Sequence, residues 1–198
     1  MTSAAKRAQC TKCKRPVKVC ICDSLVEIEA PLELIIWQDP TEAKHKLSTA
    51  PLLNLSISNS RLLVGDQFSF ADIFADSPVQ QCALLYPLES GSALISEQRS
   101  DINKLLVLDG TWKKVRRLFH LNEWLKDLPY IQLNPESLSR YAIRKSPRAD
   151  GLSTIEAAVA GLSWLDDTTD YQPVLTVLER MVELQQQLTP DDVKRTRH

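Results

Sequence analysis

Nowhere in the chain do apolar side chains run on for the roughly 20 positions that a membrane-spanning helix needs. The opening stretch MTSAAKRAQC lacks the apolar segment of a secretory signal. Excess charge of either sign is missing as well: 24 basic against 25 acidic residues leave a formal net charge of -1, so composition gives no sign of a polyanionic partner. No internal repeat and no low-complexity segment is present. These absences lead to the expectation of a soluble cytoplasmic protein whose cysteines stay reduced. Its 198 residues, 43% of them hydrophobic, suffice for one sizeable core and a small appendage.

What is balanced overall is uneven locally. Residues 1–22 carry six cations and no acid, and residues 112–148 carry nine cations against three acids. Such runs are most often solvated faces, so any nucleic-acid case rests on where they fold. Four of the five cysteines fall in CTKCKRPVKVCIC, where Cys10, Cys13, Cys20 and Cys22 have the spacing C-x2-C-x6-C-x-C. Four thiolates so close suit a tetrahedral site for a soft divalent ion, zinc first among them; the alternatives are disulfides, disfavoured without a secretion signal, and coincidence. Residues 1–23 therefore read as a zinc knuckle with Lys12, Lys14, Arg15 and Lys18 around its metal, and residues 24–198 as the main domain. Cys82 opens an apolar strand and reads as an inert core residue.

Short continuous apolar runs at 32–38, 60–66, 82–87, 104–110 and 130–133 read as strands covered on both faces. Helical periodicity begins at Trp112, where Val115, Leu118 and Phe119 form one stripe, and recurs over 153–165 and 172–188. Strands alternating with helices predict an α/β fold with a mostly parallel sheet flanked by helices.

LLVLDGTWKKVRR, residues 105–117, joins a buried strand to a basic helix through Asp109 and Gly110. In open parallel sheets ligands bind beyond the carboxyl ends of strands, and Asp109 stands at such an end. The carboxylate suits either a helix cap or a catalytic group; Thr111 can cap the helix, and Lys113, Lys114, Arg116 and Arg117 provide a place for phosphates. Trp112 is a core residue or a wall of the site, and its place in the stripe favours core. Further on, SRYAIRKSPRADGLSTIEA sets Arg140, Arg144, Lys145 and Arg148 around Tyr141, a mixture suited to phosphate contact and base stacking. Ser153 and Glu156 have capping-box spacing, and the amides of that helix start could hold an anion.

LDGTWKKVRRLF resembles the Asp-x-Thr-Trp signature of the DTW-domain family. YAIRKSPRADGLSTIEA, ALLYP and the cysteine knuckle are similar to further blocks of that family, in the same order, over about residues 10–188. One departure is that Asp39-Pro40 and Ser48-Thr49 stand where members often have His-Pro and Asn-Thr, which leaves that region as a wall of the site. The resemblance implies a SPOUT-related fold with a C-terminal trefoil knot. It also implies a tRNA-uridine aminocarboxypropyltransferase, which uses S-adenosylmethionine to form acp3U and releases methylthioadenosine. It implies Asp109 as the base; Tyr86, Pro87, Gly110, Thr111, Trp112, Leu152, Ser153, Thr154 and Glu156 around the cofactor; and Lys113, Arg116, Arg117, Arg140, Tyr141, Arg144 and Lys145 on the tRNA. A SPOUT-type RNA methyltransferase and a non-catalytic zinc-containing RNA-binding protein are the competing readings. Which uridine is modified, and whether the chain acts as monomer or dimer, are not set by the sequence.

Overall fold

The computed structural model describes residues 8–45, 48–86, 93–133 and 152–188. Five strands, β1 (Glu33–Gln38), β2 (Ser60–Val64), β3 (Cys82–Leu85), β4 (Lys104–Asp109) and β5 (Tyr130–Ile131), form one parallel sheet in the order β2-β1-β4-β3-β5. Five α-helices among the described residues accompany them: α1 (Ala50–Ser56), α2 (Phe70–Phe74), α3 (Trp112–Leu121), α4 (Thr154–Leu165) and α5 (Pro173–Leu188). The expected strands are all present, most of them shortened at their carboxyl ends. The expected trefoil knot turns on the path of the chain between β5 and α4, which lies outside the described residues.

The unbroken apolar runs are explained by what covers the sheet. Side chains alternate across a strand, and both faces are packed. Leu34, Ile36, Leu105, Val107, Ala83 and Leu85 point into a core shared with α1, α4 and α5. Ile35, Trp37, Leu106, Leu108, Cys82 and Leu84 point into a second core shared with α2 and α3. Cys82 is fully buried, and desolvation pushes its thiol up to about 11, in keeping with an inert packing residue.

Helices α1 and α2, of seven and five residues, were not foreseen, because neither fills the window of roughly 11–18 residues over which helical periodicity is read. A capping box closes α2, with Asp72 N donating to Ser69 Oγ at 3.2 Å and Ser69 N donating to Asp72 Oδ2 at 2.8 Å. Helix α4 lies close against β3 and β4 because Gly161 faces them: a Cβ there would stand 3.0 Å from Leu85 Cδ2 and 3.2 Å from Leu85 Cδ1. Gly161→Val should therefore force α4 off the sheet and lower stability by about 1–3 kcal/mol; urea unfolding monitored by circular dichroism measures it, and an unchanged midpoint would show that Leu85 yields freely.

Candidate active site

The chain leaves the two central strands towards opposite faces. After β1 it runs to α1, in the first core, and after β4 to α3, in the second. Strand order therefore places a crevice at the carboxyl ends of β1 and β4, the position at which open parallel sheets bind ligands. Gln38 and Asp109 are register partners there. Parity then sorts the polar residues. Gln38 and Asp109 continue the series of Leu34, Ile36, Leu105 and Val107 and so face α4, whereas Asp39 continues the series of Ile35 and Trp37 and faces α3.

Asp109 is 8% exposed. Its Oδ2 accepts a hydrogen bond from Gln38 Nε2 at 2.6 Å, and its Oδ1 accepts one from the hydroxyl of Thr154, the first residue of α4. Gln38 Nε2 also donates to Ser48 Oγ at 2.6 Å. The N-cap residue of α3 is Thr111 and not Asp109, and the Thr111 side chain makes no cap hydrogen bond. The carboxylate instead sits at the mouth of the crevice and against the amino end of α4, where the helix dipole favours negative charge. The expected capping box at that end is present, with Ser153 N donating to Glu156 Oε2 at 2.7 Å and Glu156 N donating to Ser153 Oγ at 3.4 Å. Gly110 tightens the turn beyond Asp109; a Cβ there would meet Lys114 Cβ at 3.3 Å and Asp39 Cβ at 3.7 Å.

Trp112 corrects its expected place in the core, being 54% exposed. It opens α3 one turn ahead of the stripe that Val115, Leu118 and Phe119 bury. Its ring lies 5.8 Å from that of Tyr86, which also packs 4.8 Å from Phe119. The carboxyl ends of β3 and β4 thus carry an aromatic wall, anchored on one side and open on the other.

On the α3 face Asp39 is fully buried. Its Oδ1 accepts from Thr41 N at 2.8 Å and from Thr41 Oγ1 at 2.6 Å, and its Oδ2 accepts from Arg117 Nη1 at 3.3 Å. Arg117 pairs with Asp66 through its other nitrogen, and Lys114 Nζ lies 2.8 Å from Glu42 Oε1. Two of the four helix cations are therefore engaged within the fold, while Lys113 and Arg116 are exposed. Pro87, Arg140, Tyr141, Arg144 and Lys145 lie outside the described residues. Gln38 was not singled out from sequence, and Asp39 only as part of a wall of the site; their signal was a polar pair closing an apolar run, which becomes informative only once β1 is known to lie beside β4.

The four clustered cysteines do meet. Their sulfurs lie within 4.8 Å of one another, with Cys10 Sγ 3.5 Å from Cys22 Sγ and Cys13 Sγ 3.8 Å from Cys20 Sγ. A tetrahedron of thiolates at zinc-type bond lengths has edges of about 3.8 Å, so the group could hold a metal ion. Lys14 takes a left-handed φ of 58° directly after the first pair, and Lys14 N donates to the Cys10 carbonyl at 3.0 Å. Backbone amides of Cys13 and Lys12, aimed at the Cys10 sulfur, bring its thiol down to about 6. Burial, and then the neighbouring sulfurs, push Cys22 up to about 12. Thiols forced to share protons in this way are relieved by a bound cation. Ile21, 1% exposed, anchors the segment in the core beside α4 and α5.

A family model described as DTW domain matches residues 7–186. Among curated proteins, tRNA-uridine aminocarboxypropyltransferase 2 of Drosophila melanogaster is 33% identical over 86% of this chain and 71% of its own length. The protein of the same name from Mus musculus is 31% identical over 87% of this chain, which spans 61% of that relative. tRNA-uridine aminocarboxypropyltransferase A of Arabidopsis thaliana is 25% identical over 91% of this chain and 81% of its own length. No solved structure matches the chain. No helix among the described residues is long and apolar enough to cross a membrane.

Desolvation, the largest influence on Asp39, raises its pKa, but the Thr41 donors and the charges of Lys114 and Arg117 outweigh it and leave the group below the usual aspartate value. A depressed carboxyl contributes stability above its unfolded pKa and loses it as pH falls through the folded one. Asp39→Asn should therefore destabilise the fold by about 1–3 kcal/mol at pH 7, and the gap to wild type should close as pH falls below about 3.9. Urea midpoints between pH 7 and pH 3 test this; a gap independent of pH would assign the loss to packing.

Proposed function

Since the chain belongs to the DTW domain family, we propose that it transfers the 3-amino-3-carboxypropyl group of S-adenosylmethionine to N3 of a uridine in tRNA, forming acp3U and releasing methylthioadenosine. The observation that carries this reading is Asp109, a buried carboxylate with each oxygen held by a donor, at the mouth of the β1–β4 crevice beside an exposed aromatic wall. The names of the curated relatives point to the same reaction. The SPOUT-type knot belongs to this proposal too.

The site's residues fit such a co-substrate. Trp112 and Tyr86 offer a flat apolar wall to adenine or uracil. The amino end of α4 suits the carboxylate of the amino acid moiety; the Ser153 amide is already committed to Glu156, so this role falls to the amides of Leu152 and Thr154. Bound there, S-adenosylmethionine supplies a sulfonium whose γ-carbon is joined to N3 while the carbon–sulfur electron pair leaves with sulfur. Asp109 accepts the N3 proton, without which departure the imide nitrogen is a poor nucleophile. The rest of the work is alignment, since the γ-carbon and not the methyl must face N3. Turning the uridine out of its stack costs roughly a few kcal/mol. Contacts from exposed Lys113 and Arg116 to the phosphates offset that cost, and Arg140, Tyr141, Arg144 and Lys145 are assigned to the same RNA surface by sequence. The cysteine cluster holds zinc as a structural ion in this reading, in a cytoplasmic enzyme.

Mass spectrometry of nucleosides from tRNA incubated with protein and S-adenosylmethionine should show acp3U with equimolar methylthioadenosine. S-adenosylhomocysteine and a methylated base would instead establish a methyltransferase, and binding without either product a non-catalytic module. Asp109→Asn should lower the transfer rate by about 10²–10⁴-fold while tRNA affinity holds; full activity would remove the base assignment. Metal analysis should find one zinc per chain, and chelation should lower the thermal midpoint. A metal-free, equally stable protein would refute the zinc site.

A further inference from the structure

Deepening the transferase reading, on which it rests, we propose that Gln38 is a positioning residue that fixes the Asp109 carboxylate for proton transfer. Between Glu33, which opens β1, and Gln38, which closes it, the strand is apolar and buried. An amide buried to 1% exposure is costly unless hydrogen bonded. Gln38 meets that demand by donating both hydrogens of Nε2, one to Ser48 Oγ and one to Asp109 Oδ2, each at 2.6 Å. The reversed amide would set an oxygen against the carboxylate, so the network has one orientation.

The consequence is a carboxylate held from two sides. Gln38 grips Oδ2 from the neighbouring strand, and Thr154 grips Oδ1 from the helix above. A carboxylate has about four lone-pair directions, and these two donors fill two of them. The donor is neutral, which matters chemically. A lysine in its place would orient Asp109 as well, but its charge would hold the carboxylate ionised and oppose uptake of a proton. Gln38 thus orients without neutralising. Because it also bonds Ser48, it ties the loop between β1 and α1 to Asp109, so the wall of the crevice and the base are set in place together.

Wild type, Gln38→Leu and Gln38→Glu separate this role from mere packing. Three quantities are read: kcat and KM for transfer, the thermal midpoint, and the pH titration of the Asp109 carboxyl carbon by NMR, which needs no turnover. Among the described residues, the charged and titratable groups carried by the flanking elements are Asp39 just beyond β1, Lys113, Lys114, Arg116, Arg117 and His120 on α3 and Glu156 on α4. They are the same in all three proteins. Gln38→Leu should lower kcat by about 10- to 100-fold with little change in KM. Gln38→Glu sets two carboxyls together, so the pair should share a proton and titrate at least about one pH unit higher, with the acid limb of kcat moving by the same amount. If Gln38→Leu fails to fold, the near-isosteric Gln38→Glu decides alone. Unchanged kcat in folded Gln38→Leu, a loss confined to KM, or an Asp109 titration in Gln38→Glu that matches wild type would overturn the proposal. Absence of transfer by wild type would overturn the transferase reading instead, and the NMR titration would still decide the Gln38–Asp109 contact.

Discussion

A sheet packed on both faces has nowhere to put a charged side chain except at the ends of its strands. That constraint organises the protein. Within β1 and β4 successive residues alternate between two apolar cores, and any polar atom there would lose its water without return. Polar and charged residues are therefore kept to the two ends of β1 and β4: Glu33 and Lys104 pair at the start, and Gln38 and Asp109 come level at the finish. The same alternation sends Gln38 and Asp109 to the α4 side and Asp39 to the α3 side. Two carboxylates adjoining one crevice thereby acquire different surroundings: Asp39 is held by Thr41 and Arg117 inside the fold, and Asp109 accepts from Gln38 and Thr154 at the mouth.

Helix α3 shows how one element can serve both demands. Val115, Leu118 and Phe119 bury its inner stripe. Arg117 and Lys114 reach back to Asp39, Asp66 and Glu42 and bind the helix to the loops beyond β1 and β2. Lys113, Arg116 and the first residue, Trp112, are left facing outward. A cationic run that reads as one surface in sequence is in three dimensions divided between fastening and display.

The cysteine segment is organised on a different principle. It has almost no apolar residues of its own, so four converging sulfurs do what a core would do elsewhere. Ile21, lying between the last two cysteines, is its tether to the body. This economy leaves Lys12, Lys14 and Lys18 exposed around a compact centre.

Features that depend on short-range chemistry were legible in the chain. Unbroken apolar runs announced buried parallel strands, helical period announced α3, α4 and α5, Ser153 and Glu156 announced a capping box, and the cysteine spacing announced a cluster that closes; in each case neighbours along the chain set the outcome. The expected position of Asp109 at a strand end, next to a basic helix, was legible for the same reason. Whether it caps that helix was not, because its partners Gln38 and Thr154 stand 71 and 45 residues away and meet it only through strand order and the crossing of α4. Trp112 lay in an apolar stripe by periodicity, yet the core ends one turn further along α3 and leaves it exposed. Arg117 likewise looked like a free cation until β1 and β2 brought Asp39 and Asp66 beneath it. Sequence determined which groups stand at the ends of elements, since spacing fixes that locally; the tertiary structure alone decided which of them face one another, since that depends on contacts between segments far apart in the chain.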